Sequence, residues 1–354
     1  MKREITMKVL VTGSTGFIGR HIVTQLLHQK YQVKVFSRSP VTAQNQFSGA
    51  VEISEGDIQN YSDIDSSVDE CDYIIHLAGY AKNWAKDNSL YTRVNVIGTQ
   101  HILKAALRKK IKKVLVTSTN LTIPPSQTDR PTDESYPPIQ QFFTAYQESK
   151  CHMEKMIASF LNAGLQVVIV NPTRVFGPGL MSEANSVTIM IEQYLKGSWR
   201  FILGDGNARG NYAFISDVAQ GHIQALNKGK SGERYLLGGT NLSFNEFFSI
   251  LSEVSGKSRH MIHIPEKTSK NVGSLFQFLA RHFPIHPPIT PGWIDTFLKN
   301  WEVLSDKAIQ KLNYRITPFP AALEKTIQWL NHQKKQKERK YEIDTLFPEP
   351  TSIL

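Results

Sequence analysis

A doubly wound α/β fold, in which helices cover a parallel sheet and a smaller C-terminal lobe interleaves with the last sheet elements, is what this sequence predicts. Three observations carry that expectation. Apolar runs alternate with helix-like stretches as far as Val170. The first run ends in a glycine-rich turn, TGSTGFIG. After Pro172 the alternation gives way to Gly- and Pro-rich segments such as VFGPG and LGDGNARGN. The chain has 354 residues, 40% of them apolar and 20% charged, which suffices for a sizeable core and argues against global disorder.

The elements follow in order. Residues 8–12 form a first strand, after which Ile18, Ile22, Val23, Leu26 and Leu27 share one helical face. Residues 32–36 and 50–53 read as the second and third strands. Residues 73–77 read as the fourth, with the near-continuous apolarity of a strand buried on both faces. A long helix over 90–107 leads to a fifth strand at 113–117, and a helix over 143–161 leads to a sixth at 166–170. Right-handed crossovers make such an alternation doubly wound. Beyond it, helices are expected over 216–227, capped by Ser216, and over 244–254, 275–283 and 321–331, while 234–237 returns as a core strand. The division that results is a dinucleotide-binding core over 1–175, to which 211–238 return. A substrate lobe covers 176–210 and 239–333, and a basic, Pro-containing tail covers 334–354. The segment 274–283 is apolar on one side and suits lobe core, a pocket roof or a membrane-touching face.

The turn after the first strand places glycines at 13, 16 and 19. Gly13 permits a tight turn, Gly16 lets backbone approach a pyrophosphate, and Gly19 lets the helix pack close to the sheet. Free N–H groups and the helix dipole then favour an anion. Between a strand and an amphipathic helix, this is a dinucleotide-binding (Rossmann) signature, with Thr15, Phe17 and Ile18 completing the loop. The second strand ends in Phe36-Ser37-Arg38-Ser39, with no acidic residue for a ribose 2′-hydroxyl. Arg38 can bind a 2′-phosphate, which favours NADP while leaving NAD open. Asp57 and Ile58 suit an adenine, or plain loop packing. Tyr146 and Lys150 are four residues apart on a predicted helix and so share a face. A nearby ammonium favours the phenolate, so the pair suits proton transfer at a substrate oxygen.

TGSTGFIG, IIHLAG, VNVIGT, VTST, YQESK, NPTRVFGPG and FISDVA occur in the order seen in extended short-chain dehydrogenases/reductases, the NAD(P)-dependent epimerase/dehydratase superfamily. The chain resembles that family over roughly residues 7–331. The resemblance implies that Leu77, Ala78 and Gly79 line the cofactor and that Asn95 supports the neighbouring strands and the site. It implies that Pro172 and Thr173 form a cofactor-contacting turn. It also implies a hydroxyl after the fifth strand as third catalytic residue beside Tyr146 and Lys150, with Thr119 the better match and Ser118 the fallback. NPTRVFGPG resembles dihydroflavonol reductases and 3β-hydroxysteroid dehydrogenases more than sugar-nucleotide members, and Asn120 and Leu121 stand where a dehydratase acid is expected.

The function these features imply is NADP-dependent, reversible reduction of the carbonyl of a small, apolar ketone or aldehyde. The alternatives are a nucleotide-sugar epimerase or dehydratase with tightly bound NAD, and a dinucleotide-binding regulator without turnover. The net charge of +10 suggests anionic partners, yet aromatics do not interleave with the basic residues, so no nucleic acid is expected. Two cysteines without ligand spacing imply a reduced compartment and no metal. No apolar run reaches the roughly 18 residues of a spanning helix, and MKREITMKVLVTG lacks a secretory pattern, so a cytoplasmic protein is expected. A homodimer through the 90–107 and 143–161 helices would use Tyr146, Met153, Ile157 and Phe160, residues that suit packing on the sheet equally well. Tyr212, Phe176, Met181, Trp199 and Trp293 are candidate pocket residues.

Overall fold

The computed structural model describes residues 7–127 and 130–346. Its main sheet has seven strands: β1 (Lys8–Thr12), β2 (Gln32–Ser37), β3 (Glu52–Glu55), β4 (Tyr73–His76), β5 (Lys113–Thr117), β6 (Val167–Pro172) and β10 (Arg234–Leu237). Their order is β10-β6-β5-β4-β1-β2-β3, and every pairing is parallel. The order reverses between β1 and β4, so a crevice opens beyond the carboxyl ends of those two strands.

Both faces are covered, which is why β1, β5 and β6 carry unbroken apolar runs. On one face Ile22, Val23 and Leu26 of the helix Phe17–His28 join Ala219, Ile223 and Leu226 of the helix Ile215–Lys228. On the other, Ile102 and Leu103 meet Met153, Ile157 and Phe160 of the helix Ala145–Asn162. These last three, proposed above as dimer positions, are therefore spent inside the chain. Ile102, Leu103 and Met153 are fully buried, each worth about 1.5–3 kcal/mol.

The second lobe holds two small sheets. β11 (Thr240–Ser243), β9 (Arg209–Phe214) and β7 (Arg174–Phe176) form one, and β12 (Ile262–Ile264) pairs with β8 (Phe201–Leu203) in the other. Its core gathers Phe176, Tyr194, Tyr212, Phe247 and Phe319. Phe176 and Tyr212 thus support the lobe, while Trp199 donates from Nε1 to the Phe201 carbonyl.

Several expectations are corrected. The third strand lies at Glu52–Glu55 rather than 50–53. The helix Ile215–Lys228 starts one residue earlier than expected, after Phe214, and Ser216 does not cap it. The single helix expected over 90–107 is a short turn, Ser89–Tyr91, then a π-helix, Thr92–Ile97, then an α-helix, Gly98–Arg108. The 274–283 stripe belongs to the helix Glu266–His282, which buries its small residues Ser269, Gly273 and Ala280 and turns Leu275 and Phe278 outward, each 57% exposed. It is not lobe core. Of the tail expected at 334–354, residues through Leu346 continue the helix Phe319–Leu346, and the rest lies outside the described residues. Among the described residues no helix is long and apolar enough to cross a membrane.

Candidate active site

The glycine loop lies at the point where the strand order reverses. Gly13 has φ +69°, and a Cβ there would stand 2.7 Å from the Ala78 nitrogen. A Cβ on Gly19 would collide with the Gly13 carbonyl. Gly16 precedes the helix Phe17–His28, whose N-terminus has no side-chain cap. Phe17 is buried in the lobe core and Ile18 packs against it, so this loop also joins the two lobes. Thr15 is half-buried, and its carbonyl accepts from Arg20.

A chain of hydrogen bonds holds the β1 and β4 ends in register. Thr99 donates to the Asn95 carbonyl at 2.7 Å, so it accepts from Nε2 of His76 at 2.9 Å. Nδ1 of His76 then accepts from Thr12 at 2.7 Å, and Thr12 accepts from the Ala78 N–H at 3.2 Å. Burial pushes the His76 pKa down to about 3, with the Lys150 charge adding to the effect, so this imidazole stays neutral. Leu77 and Ala78 are half-buried beyond it, and Gly79 is exposed.

The π-helix swings Asn95 inward. Its Oδ1 accepts from the Tyr80 N–H at 2.7 Å, and its Nδ2 donates to the Tyr80 carbonyl at 3.1 Å and to Ser149 Oγ at 2.9 Å. Ser149 donates in turn to the Tyr146 carbonyl at 2.7 Å. Asn95 thereby ties the loop after β4 to the helix that carries Tyr146. Such π segments recur at functional sites.

Tyr146 and Lys150 share a face of Ala145–Asn162, a helix capped by Thr144. Thr119, rather than Ser118, is the hydroxyl that lowers the phenol's pKa. Burial pushes the Tyr146 pKa up to about 12, and the Thr119 hydroxyl opposes this only in part. The expectation that the lysine charge would favour phenolate is corrected: desolvation wins, and the Lys150 ammonium donates to the Thr117 carbonyl at 2.9 Å. Burial brings Lys150 down to about 8, against the Coulombic pull of Glu154. Beneath Thr119, Asn171 Nδ2 donates to the Thr119 carbonyl at 2.9 Å and to Glu154 at 2.7 Å. Pro172 is buried in β6, and Thr173 donates to Asn211 at 2.8 Å.

Arg38 is exposed at the end of β2, beside Ser39, which caps the helix Pro40–Phe47. Asp57 accepts from the Gln59 N–H at 2.9 Å, and Ile58 is buried against Gly98. The second lobe supplies what the sequence could name only as one candidate among five. The Trp293 ring stacks on Tyr146, with centroids 6.3 Å apart and planes 25° apart, and its Nε1 donates to the Asn83 carbonyl at 2.9 Å. Phe297 lies 5.8 Å from Trp293.

These residues fit a dinucleotide. A Cβ on exposed Gly79 would stand 3.6 Å from Lys150 Nζ, so a ligand has backbone and ammonium side by side there. The Ser14 and Ser118 hydroxyls, at the ends of β1 and β5, are buried without a hydrogen-bond partner. Known proteins agree. A chain of Synechocystis sp. named for dihydroflavonol 4-reductase is 27% identical over 328 residues, covering 91% of this chain and 94% of its own. The sterol-4-alpha-carboxylate 3-dehydrogenase, decarboxylating, of Mus musculus is 25% identical over 345 residues, covering 93% of this chain and 92% of its own. The solved UDP-glucose 4-epimerase of Thermus thermophilus in complex with NAD has a TM-score of 0.75 at 23% identity, covering 92% of this chain and 99% of that one, which shows the shared fold. The sequence profile of the NAD dependent epimerase/dehydratase family matches residues 9–238. With glycine loop, switch-point crevice and Tyr–Lys helix in that order, the chain belongs to this family and is an NAD(P)-dependent enzyme of the extended short-chain dehydrogenase/reductase type.

Proposed function

We propose that this protein reduces, reversibly, a carbonyl on a largely apolar substrate, with NADP as cofactor. The observation that carries the reading is the placing of Tyr146 and Lys150 on one helix face, with the Tyr146 ring stacked on Trp293 and the Thr119 hydroxyl acting on the phenol. A phenol with its pKa near 12 is protonated at neutral pH and poised to donate to a carbonyl oxygen. Thr119 orients that oxygen and helps stabilise charge on it. Lys150, which donates to the Thr117 carbonyl near Gly79, would hold ribose hydroxyls, and the backbone of Gly13–Gly19 would hold the pyrophosphate. A nicotinamide cofactor, when bound, supplies or removes the electron pair. Arg38, exposed just beyond β2 in a segment, Phe36–Ser39, that carries no acidic residue, supports the 2′-phosphate form. Trp293 and Phe297 give the substrate side an aromatic wall, and the names of the dihydroflavonol and sterol relatives point the same way.

The test is consumption of NADPH and of NADH against steroid, flavonoid and aliphatic ketones, with UDP-glucose in parallel. Ketone-dependent oxidation of NADPH in preference to NADH is expected. Tyr146→Phe should lower kcat by about 10²–10⁴-fold and leave dinucleotide affinity near wild type. Near-normal turnover in that variant would remove Tyr146 as the proton donor. Conversion of UDP-glucose without net cofactor consumption would move the reading to an epimerase.

A further inference from the structure

Arg174 opens β7, one residue after the turn that leaves the main sheet, and its guanidinium sits among aromatic rings. Its central carbon lies 5.4 Å from the Tyr212 ring centroid, 5.4 Å from Phe244 and 5.3 Å from Phe297. Nη1 donates to the Tyr212 hydroxyl at 3.1 Å. The group lies against the backbone of Gly210, where a Cβ would collide with it. Gly210 therefore leaves a slot that this one side chain fills.

Two other arginines, Arg209 in this lobe and Arg234 in the main sheet, show how a structural arginine is partnered in this chain. Arg209 pairs with Glu302 at 2.7 Å and Glu246 at 2.8 Å, and Arg234 lies 3.7 Å from Glu154. No ion pair of Arg174 with a carboxylate occurs among the described residues. Nor is any of its nitrogens among the buried, partnerless polar atoms, so its unpaired edge opens on accessible space. Aromatic faces hold the guanidinium plane and offset part of its desolvation, leaving a fork of donors for a planar anion. The same rings lead to the reacting group: Phe297 contacts Trp293, and Trp293 stacks on Tyr146.

We propose that Arg174 is the anion anchor of the substrate site. It binds a carboxylate or phosphate carried at the end of the substrate away from the group that meets Tyr146. The substrate is then an amphiphile, apolar along the Trp293–Phe297 wall and anionic at its far end. This inference rests on Tyr146 marking the reacting end of the site.

The experiment is calorimetric binding and turnover with a graded series of methyl-ketone carboxylic acids, each paired with its methyl ester, and with UDP-glucose as the phosphate carrier. Wild type should bind one acid about tenfold to hundredfold more tightly than its ester, the range of a charge-assisted bidentate contact. Arg174→Gln should erase that difference, and Arg174→Lys should keep only part of it. If the glutamine variant fails to fold, the reduced ratio in the lysine variant carries the test. UDP-glucose binding that depends on Arg174 supports the anchor with phosphate as its anion. Equal affinity of wild type for every acid and its ester, together with UDP-glucose binding indifferent to Arg174, overturns it. Arg174-dependent acid binding without turnover of any ketone would keep the anchor and remove the reductase reading instead.

Discussion

Lys150 is the residue whose environment decides most. Its ammonium has a carbonyl at Thr117 and a carboxylate at Glu154 to steady it, yet burial still brings its pKa down to about 8. Tyr146, held up at about 12, does not titrate in the working range. The kcat/KM for carbonyl reduction should therefore fall as pH rises through about 8, as Lys150 loses the charge that holds ribose. Lys150→Met should lower activity and flatten that limb. A wild-type profile that stays level up to pH 10 would show that the lysine charge is not required. The histidine beneath the loop illustrates a different use of burial. His76 is kept neutral so that each ring nitrogen has a fixed partner, which holds Thr12 and Ala78 in place under the cofactor loop.

Among the elements, the helix Glu266–His282 departs furthest from the usual pattern. It packs with its small residues and leaves Val272, Leu275 and Phe278 outward. Leu275→Ser and Phe278→Ser should each change stability by less than about 0.5 kcal/mol, read from urea midpoints. Ile294→Ala, at a fully buried position against Gly273, should cost about 2–5 kcal/mol. A loss above about 1 kcal/mol for either serine variant would mean that the face is covered in solution. The elements differ in how far the sequence reveals them. The strands β1, β4, β5 and β6 announce themselves because burial on both faces demands unbroken apolar runs, and the glycine loop because only glycine tolerates Gly13's positive φ and close contacts. The π segment at Thr92–Ile97 stays hidden, since its six residues make little more than one turn and are too few to display a period of their own. The helix Glu266–His282 misleads for the opposite reason: an apolar stripe normally marks the inward face. The contacts of Trp293 with Tyr146 and of Arg174 with Phe297 join parts of the chain far apart in sequence, and no local pattern encodes them.

On the scale of the whole molecule, acid sensitivity follows from two buried histidines. His76 and His222 are pushed down to about 3 and about 4 by burial, whereas in the unfolded chain a histidine titrates near 6.5. Below pH 6.5 the unfolded state takes up protons that the folded state refuses, so stability is full above that pH and is lost as pH falls toward the folded values. Each histidine should contribute a loss of about 2 kcal/mol by pH 5. His222→Asn should lose less stability than wild type between pH 7 and pH 5, by about that amount, in denaturant midpoints compared at the two pH values. An identical loss in both proteins would mean that His222 accepts its proton without unfolding.

The order of the strands also shapes synthesis. β6 is buried along all six of its residues and is flanked on one side by β5, while its other neighbour, β10, arrives only after the chain has passed through the first part of the second lobe. A nascent chain that has emerged as far as Pro172 but not yet to Leu237 therefore carries an open, strongly apolar strand edge. During that interval the ribosome-bound intermediate is a natural client for a holdase, and truncations ending between Pro172 and Arg234 should aggregate where the completed chain does not.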